Sequence, residues 1–182
     1  MFKFLSSSFL LFIFFTSISF SEEKIVFIDI NYIFLSSNAG KDLNLQIKNK
    51  NKKIAEEINK FKKNIESQKK ELISQKNVLS EEEYIKKVKK LEKDINVINQ
   101  TISKKNQEFS SFKEQIEKEF SKKLNLVIEE YSISNSISII LKKGDLLMAK
   151  NELDITNDVL KIFNEKINKI NINWKWIWIN LK

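Results

Sequence analysis

Residues 77–83 read NVLSEEE, and this stretch divides a long helical region into two parts. Ser80 is followed three residues later by Glu83, the spacing of a capping box. In that motif the hydroxyl and the carboxylate satisfy free backbone N–H groups at the start of a helix. Glu81 and Glu82 add negative charge where the helix dipole is positive. We therefore predict that one helix ends before Ser80 and that a second helix begins there.

The regions on both sides of this stretch carry apolar residues at steps of three and four, the spacing of one helix face. The stepping continues over many turns, which predicts paired helices that supercoil left-handedly. The eleven-residue step from Phe109 to Phe120 locally relaxes this supercoil. The series consists of Ile47, Ile54, Ile58, Phe61, Ile65, Leu72 and Leu79 before the break, and of Tyr84, Val88, Leu91, Ile95, Ile98, Ile102, Phe109, Phe112, Ile116, Phe120, Leu124, Val127 and Tyr131 after it.

Two arrangements are compatible with residues 39–131: one helix that continues through Ser80, or a helical hairpin with its tip near 77–80. A single helix of this length would extend about 140 Å at 1.5 Å per residue, and a hairpin would be about half as long. The capping box favours the hairpin. Polar residues interrupt the apolar series, so we expect the two helices to be loosely paired along parts of their length. These interruptions are Asn51, Gln68, Gln75 and Lys105.

Strand signals flank the helical region. The run Ile25–Ile28 is β-branched and aromatic, as expected for a buried strand. After the helices, the apolar runs 138–141 and 146–149 are separated by a segment that contains Gly144. This glycine can take the positive φ of a tight turn, which predicts a β-hairpin. Because isolated two-stranded sheets are marginal in water, we expect the first strand and this hairpin to share one sheet.

Two further helix starts are marked by polar residues. Ser37 or Asn38 is expected to cap the first long helix. Thr156 is expected to cap a short C-terminal helix, with Asp158 in its positive first turn.

The resulting fold class is α+β, with a long antiparallel helical hairpin (a coiled-coil arm) inserted into a small β-sheet body. We assign residues 22–38 and 132–167 to a β-rich oligomerisation body, residues 39–131 to the arm, and residues 168–182 to a Trp-rich C-terminal extension. A monomer of this shape has too little core for its surface. Association into a closed symmetric oligomer would supply the missing burial and cover the edges of the sheet.

Residues 1–21 have the layout of a secretory signal peptide. Lys3 gives a positive start, an apolar stretch follows, and Ser19 and Ser21 are small residues before a cut at Glu22. The alternative is an uncleaved membrane anchor, but the apolar stretch is short for a membrane span and serines interrupt it. We therefore expect cleavage and export.

The composition argues against most enzyme classes. The 182 residues include 2 glycines and no proline, cysteine or histidine. Without histidine and cysteine, the commonest general base and the usual metal ligands are missing. We expect neither enzymatic activity nor a cofactor. The net charge is +8 and the sequence contains no arginine, which fits diffuse attraction to acidic partners better than specific recognition of nucleic acid.

The two ends of the sequence resemble those of a known family. The residues KIVFID at 24–29, followed by NAGK at 38–41, resemble the opening of the Skp, or OmpH-like, periplasmic chaperones. The tip sequence LSEE at 79–82 is also similar. The runs 139–141 and 146–149, and LDITNDVL at 153–160, resemble the closing hairpin and final helix of that family.

This resemblance implies a homotrimer in the bacterial periplasm. Each subunit would give strands to a small β-barrel and send one helical hairpin outward. The three arms would enclose a cavity that holds unfolded outer-membrane proteins without ATP. The chain departs from the family pattern in two places: residues 166–182 continue beyond the usual end, and residues 132–138 are rich in serine and isoleucine where members more often carry Gly-Tyr.

Positive charge is concentrated towards the predicted tip. Residues 60–93 contain 11 lysines and 6 acidic residues, a net charge of +5, whereas residues 41–59 and 94–131 contain 11 lysines and 10 acidic residues, a net charge of +1. Such tips would attract acidic clients and anionic membrane surfaces, although an ordinary solvated face explains any single lysine. The lysines concerned are Lys60, Lys62, Lys63, Lys69, Lys70, Lys76, Lys86, Lys87, Lys89 and Lys90.

The C-terminal extension alternates with a period of two, which would place Ile170, Ile172, Trp174, Trp176 and Trp178 on one face of an extended segment. One interpretation is an interfacial membrane anchor, since tryptophan favours the headgroup level. The other is an added strand that covers the sheet edge or the body.

Other functions compete with the chaperone hypothesis. The same heptads would suit a structural coiled-coil spacer or tether of the cell envelope. A nucleic-acid binder is suggested by the sequence pI of 9.4, but no reading motif accompanies it.

Overall fold

A long helical hairpin joins the two strands of a small parallel sheet in the computed structural model, in which residues 23–172 are described. The predicted signal peptide and Trp174, Trp176 and Trp178 lie outside these residues. The elements are β1 (Lys24–Ile28), α1 (Ile30–Ser36), α2 (Asn38–Ser74), α3 (Glu81–Ser134), β2 (Ile137–Lys142) and α4 (Thr156–Lys166), with 3₁₀ turns at Lys143–Asp145 and Asn151–Leu153.

The predicted helical hairpin is confirmed. The chain reverses between Ser74 and Glu81, and α2 and α3 pack side by side. At 1.5 Å per residue, α2 is about 55 Å long and α3 about 80 Å. None of the helices within residues 23–172 combines the length and the apolar composition of a membrane span.

The sheet explains how the arm is inserted. Strands β1 and β2 pair in parallel, with Val26 opposite Ile140 and Phe27 opposite Leu141. Parallel neighbours cannot be joined by a tight turn and need a long crossover connection. Here that connection is α1 together with the whole hairpin. On the other edge of β1, Ile155 N donates to Phe27 O at 3.0 Å, so β1 is the middle segment.

The predicted β-hairpin is wrong for the single chain. Its first strand forms and shares a sheet with β1, as expected, but residues 146–149 are not in a strand. Lys143–Asp145 forms a 3₁₀ turn in place of a tight reversal, and Gly144 does not adopt a positive φ. The second apolar run therefore leaves the sheet, and Leu147 and Met148 are 107% and 92% exposed.

A hydrophobic core lies where the base of the arm meets the sheet. Strand β1 contributes Val26 and Ile28, and α1 contributes Ile33. Phe120 makes an edge-on contact with Phe34, with ring centroids 4.9 Å apart, and a tilted contact with Phe163 at 5.3 Å. The other buried members are Ala39, Leu43, Phe112, Ile116, Leu124, Val127, Ile155, Val159, Ile170 and Ile172.

The α1–α2 junction is built around Ser37 and Gly40. Of the two predicted caps, Ser37 is the one used: its hydroxyl accepts a hydrogen bond from Gly40 N at 3.1 Å. Gly40 lies against the end of α1, where an added Cβ would lie 1.8 Å from Phe34 O. The residue at this position must therefore be glycine for the two helices to approach so closely.

The predicted cap of α4 is wrong in detail. Thr156 is the first residue of the helix, and its hydroxyl accepts a hydrogen bond from Asp29 N at 2.9 Å. The N-cap position is Ile155, and the carboxylate of Asp154 before it accepts from Thr156 N at 2.9 Å and from the Thr156 hydroxyl. The threonine thus joins the end of β1 to α4. Asp158 does lie in the first turn, as predicted.

Candidate functional site

The arm changes character along its length. Every residue of the predicted apolar series is at least partly shielded from solvent. Near the body, Phe112, Ile116 and Phe120 are buried, but between Ile54 and Phe112 no residue of the arm is fully buried. Two helices alone cannot enclose a side chain on all sides, so the outer seam remains half open. The arm therefore has a large surface for its mass and little core of its own.

The tip is fixed by the capping box that the sequence predicts. Ser80 Oγ accepts a hydrogen bond from Glu83 N at 3.4 Å, and Glu83 Oε2 accepts from Ser80 N at 3.2 Å. The Ser80 hydroxyl also donates to Glu83 Oε2 at 2.8 Å. The hydrogen bond from the Ser80 hydroxyl, followed by the one from Ser80 N, holds the pKa of the Glu83 carboxyl below its ordinary value.

Polar residues within the seam find partners across the arm. Lys87 Nζ donates to Gln75 Oε1 at 2.5 Å, and the ammonium of Lys105 pairs with Glu57. The hydrogen bond from Lys105, assisted by its charge, lowers the pKa of Glu57. The interruptions at Gln75 and Lys105 are thus bridges between α2 and α3, whereas Asn51 is exposed.

All ten lysines named above are exposed. Lys70 pairs with Glu66 at 2.9 Å on the same helix, and Lys87 bonds to Gln75. The others are distributed around both helices and the turn, where Lys62 and Lys69 border one groove and Lys90 borders another. The geometry gives a diffuse positive field around the tip, without a specific anion site.

Two grooves run between α2 and α3. One, of about 360 Å³, is mainly apolar, and the other, of about 220 Å³, is mainly polar. The apolar groove is lined by Lys62, Ile65, Glu66, Lys69, Ile95, Ile98, Asn99 and Ile102. The polar groove is lined by Gln68, Glu71, Leu72, Gln75, Lys87, Lys90, Leu91 and Asp94. Sequence reasoning identified the isoleucines as seam residues but not as the wall of a groove.

A second exposed apolar surface lies on the body. Ile139 and Leu141 of β2 are 43% and 39% exposed, and Leu147 and Met148 follow in the next segment. Within residues 23–172, no strand pairs with the outer edge of β2. An unpaired strand edge beside exposed apolar side chains is a site for association with another chain.

These features define a class of protein, in which a helical-hairpin arm is inserted into a small α/β body. Residues 24–163 match the family model for "Outer membrane protein (OmpH-like)", and the chain belongs to this family. The comparison with curated protein sequences gave no significant match. Among solved structures, a candidate OmpH-like outer membrane chaperone from Caulobacter crescentus has the same fold, with a TM-score of 0.74. Its sequence is 15% identical, and the alignment covers 84% of this chain and 90% of that chain.

Proposed function

We propose that this protein is a periplasmic holding chaperone that binds unfolded outer-membrane proteins between its helical arms and prevents their aggregation without ATP. Membership of the OmpH-like family supports a chaperone role and a periplasmic location. The structural observation that carries the proposal is the arm itself, which offers a long, half-open surface joined to a compact body.

The arm has the properties that a holding chaperone needs. Binding many unfolded sequences requires weak, adaptable contacts, since a deep pocket would select one ligand. The half-buried seam, the shallow grooves and the exposed lysines provide such contacts. The net charge of +5 over residues 60–93 would raise the encounter rate with acidic clients and would also favour contact with anionic membrane surfaces.

A cavity requires more than one arm, so the proposal includes a homotrimer. The unpaired edge of β2, together with Leu147 and Met148, would be covered when three bodies close into a β-barrel. The run 146–149 would then find its strand partner in a neighbouring subunit. This explains why a segment with a strand-like sequence is unpaired in one chain.

The test is an aggregation assay with the mature protein. A urea-unfolded outer-membrane β-barrel protein is diluted into buffer without nucleotide. Light scattering is followed with and without three subunits of the protein per client molecule, which is one equivalent of trimer. We expect scattering to be suppressed at this ratio. The mass of the purified protein in solution, measured by light scattering after gel filtration, should correspond to a trimer.

The alternative is a structural spacer or tether of the cell envelope. Such a protein would leave the aggregation of the unfolded client unchanged at a stoichiometric ratio. That result, or a stable monomer in solution, would contradict the proposal.

A further inference from the structure

The two sides of the arm differ in chemistry. Helix phase at about 100° per residue places Lys62, Glu66 and Lys69 on one side of the seam line through Ile65 and Leu72. It places Gln68, Glu71 and Gln75 on the other side. The lining residues of α3 divide in the same way, with Asn99 on one side of Ile95 and Lys87, Lys90 and Asp94 on the other. The apolar and polar grooves therefore open on opposite sides of the hairpin.

The side of α3 that borders the apolar groove is uncharged over part of its length. From Ile95 to Ser110, the residues whose phase places them on this side are uncharged and exposed: Asn96, Asn99, Ser103, Asn106 and Ser110. Over the same residues, the opposite side carries Lys105 and Glu108. The charge beside the apolar groove therefore comes from α2, through Lys62, Glu66 and Lys69.

Towards the tip, the same side carries two exposed isoleucines and the acidic residue Glu92. Ile73 and Ile85 follow the same helix phase as Glu66 and Asn96, and they are 70% and 45% exposed. They therefore lie on the same side of the distal arm as the apolar groove. We call the groove together with Ile73 and Ile85 the apolar face.

We propose that the apolar face is the surface on which the arm holds its client, and that its occupant is an extended segment of unfolded protein with aliphatic or aromatic side chains and neutral or acidic flanks. This assignment rests on the proposed chaperone function, and it adds which side of the arm contacts the client. Lys62 and Lys69 border the groove, and Glu66, the acidic residue in its lining, is paired with Lys70, so the rim complements an acidic flank. A second copy of the arm is disfavoured as occupant, because its own net charge of +5 over residues 60–93 would be repelled.

Asn99 and Asn64 provide a matched pair of positions to test this assignment. Both asparagines are exposed, and Asn99 borders the apolar groove while Asn64 has the helix phase of the opposite side. The chain contains no cysteine, so Asn99→Cys and Asn64→Cys can each carry a single environment-sensitive fluorophore. On addition of a urea-unfolded outer-membrane β-barrel protein, we expect a blue shift in emission for the label at position 99 and little change for the label at position 64.

Glutamate substitutions give a second readout. Asn99→Glu and Asn64→Glu add the same charge on opposite sides of the arm, so long-range electrostatic effects on the client are similar. We expect Asn99→Glu to raise the Kd for the unfolded probe at least about fivefold, and Asn64→Glu to change it less than about twofold. Circular dichroism should show the same helix content in both variants.

The outcomes separate this assignment from the proposed function. If the unmodified protein fails to suppress aggregation, the proposed function is wrong. If it suppresses aggregation but labels and glutamates at positions 64 and 99 behave alike, only the assignment of the face is wrong. A blue shift at position 99 with anionic phosphatidylglycerol vesicles but not with the unfolded probe would also overturn it, since the occupant would then be a membrane.

Discussion

The body and the distal arm bury their apolar residues to very different degrees. In the body, Ile33, Ile116, Val159 and Phe163 are fully shielded, because a sheet segment, two short helices and the base of the arm surround them. In the distal arm, residues of the same kind remain half exposed, since only one neighbouring helix covers them. The same heptad spacing thus gives a core at one end of the hairpin and an open seam at the other.

The body therefore provides most of the stability, and the distal arm provides most of the accessible apolar surface. Apolar burial contributes roughly 25 cal/mol per Å², so the free energy of unfolding is concentrated in the body. The distal arm contributes less and keeps its apolar side chains within reach of solvent. We expect substitutions in the two regions to have correspondingly different effects.

The largest expected contrast is between Phe163→Ala and Leu91→Ala. Phe163 is fully buried against Phe120, so its truncation should lower the free energy of unfolding by about 3–5 kcal/mol. Leu91 is only half buried in the arm seam, and its truncation should cost about 1–2 kcal/mol. Urea unfolding followed by circular dichroism measures both. Equal losses would mean that the distal arm is packed as firmly as the body.

The two glycines provide a sharper contrast. At Gly40 an added Cβ would meet the backbone of Phe34 at the α1–α2 junction, so Gly40→Ala should cost about 3 kcal/mol. Around Gly144 there is no heavy atom within 4 Å of an added Cβ, and its φ is not positive. Gly144→Ala should leave thermal unfolding nearly unchanged. A well-folded, fully stable Gly40→Ala variant would show that α1 does not need this close approach.

The polar junction around Asp154 should make the body sensitive to acid. Partial burial raises the pKa of Asp154, but hydrogen bonds from Thr156 and from Lys143 Nζ, at 3.3 Å, outweigh it and hold the pKa below its ordinary value. A lowered pKa in the folded state stabilises the fold above the unfolded-state pKa of about 3.9. This contribution is lost as the pH falls through the lower, folded-state pKa.

Asp154→Asn removes the carboxylate and with it this contribution to the pH dependence of the free energy of unfolding. We expect the variant to be less stable than the original by about 1 kcal/mol at neutral pH. The difference should begin to shrink as the pH falls below about 4, where the carboxylate of the unfolded chain takes up a proton, and should be lost below the lower, folded-state pKa. Urea unfolding at a series of pH values measures the two curves. Parallel curves would show that Asp154 does not contribute through its charge.

The smallest expected effect is local to the tip. Ser80→Ala removes one half of the capping box and should destabilise the start of α3 by about 1 kcal/mol. Because the tip is far from the core, we expect faster hydrogen exchange at residues 81–84 and little change in global unfolding. A large drop in global stability would mean that the tip and the body unfold as one unit.

Local signals in the sequence predicted the helical part of the fold. Ser80 and Glu83 form their capping box, and Ser37 caps α2, because these bonds join residues three positions apart. The heptad series also predicted which arm residues face the seam, since helix phase alone determines it.

Features that depend on distant residues could not be predicted in this way. Gly144 and the run 146–149 have the sequence of a hairpin, but β2 pairs with β1, more than a hundred residues earlier. Thr156 has the sequence of a cap, but its hydroxyl bonds to Asp29. The uncharged stretch on one side of α3 could have been predicted, because the five positions from Asn96 to Ser110 lie on the same side of the helix. That pattern becomes meaningful only when the groove beside them is known.

The parallel pairing of β1 and β2 has a consequence for the order of folding. Residues 24–28 are made early, but their strand partner at 137–142 follows only after the whole arm has been synthesised. The helices can form earlier, since their contacts are local, and once they pair they bring the start of α2 and the end of α3 to the same end of the hairpin. The pairing of the helices then already offsets the entropy that is lost in closing the chain between the two strands. We therefore expect the arm to act as the scaffold on which the sheet assembles late, so that its first strand spends the longest time without a partner.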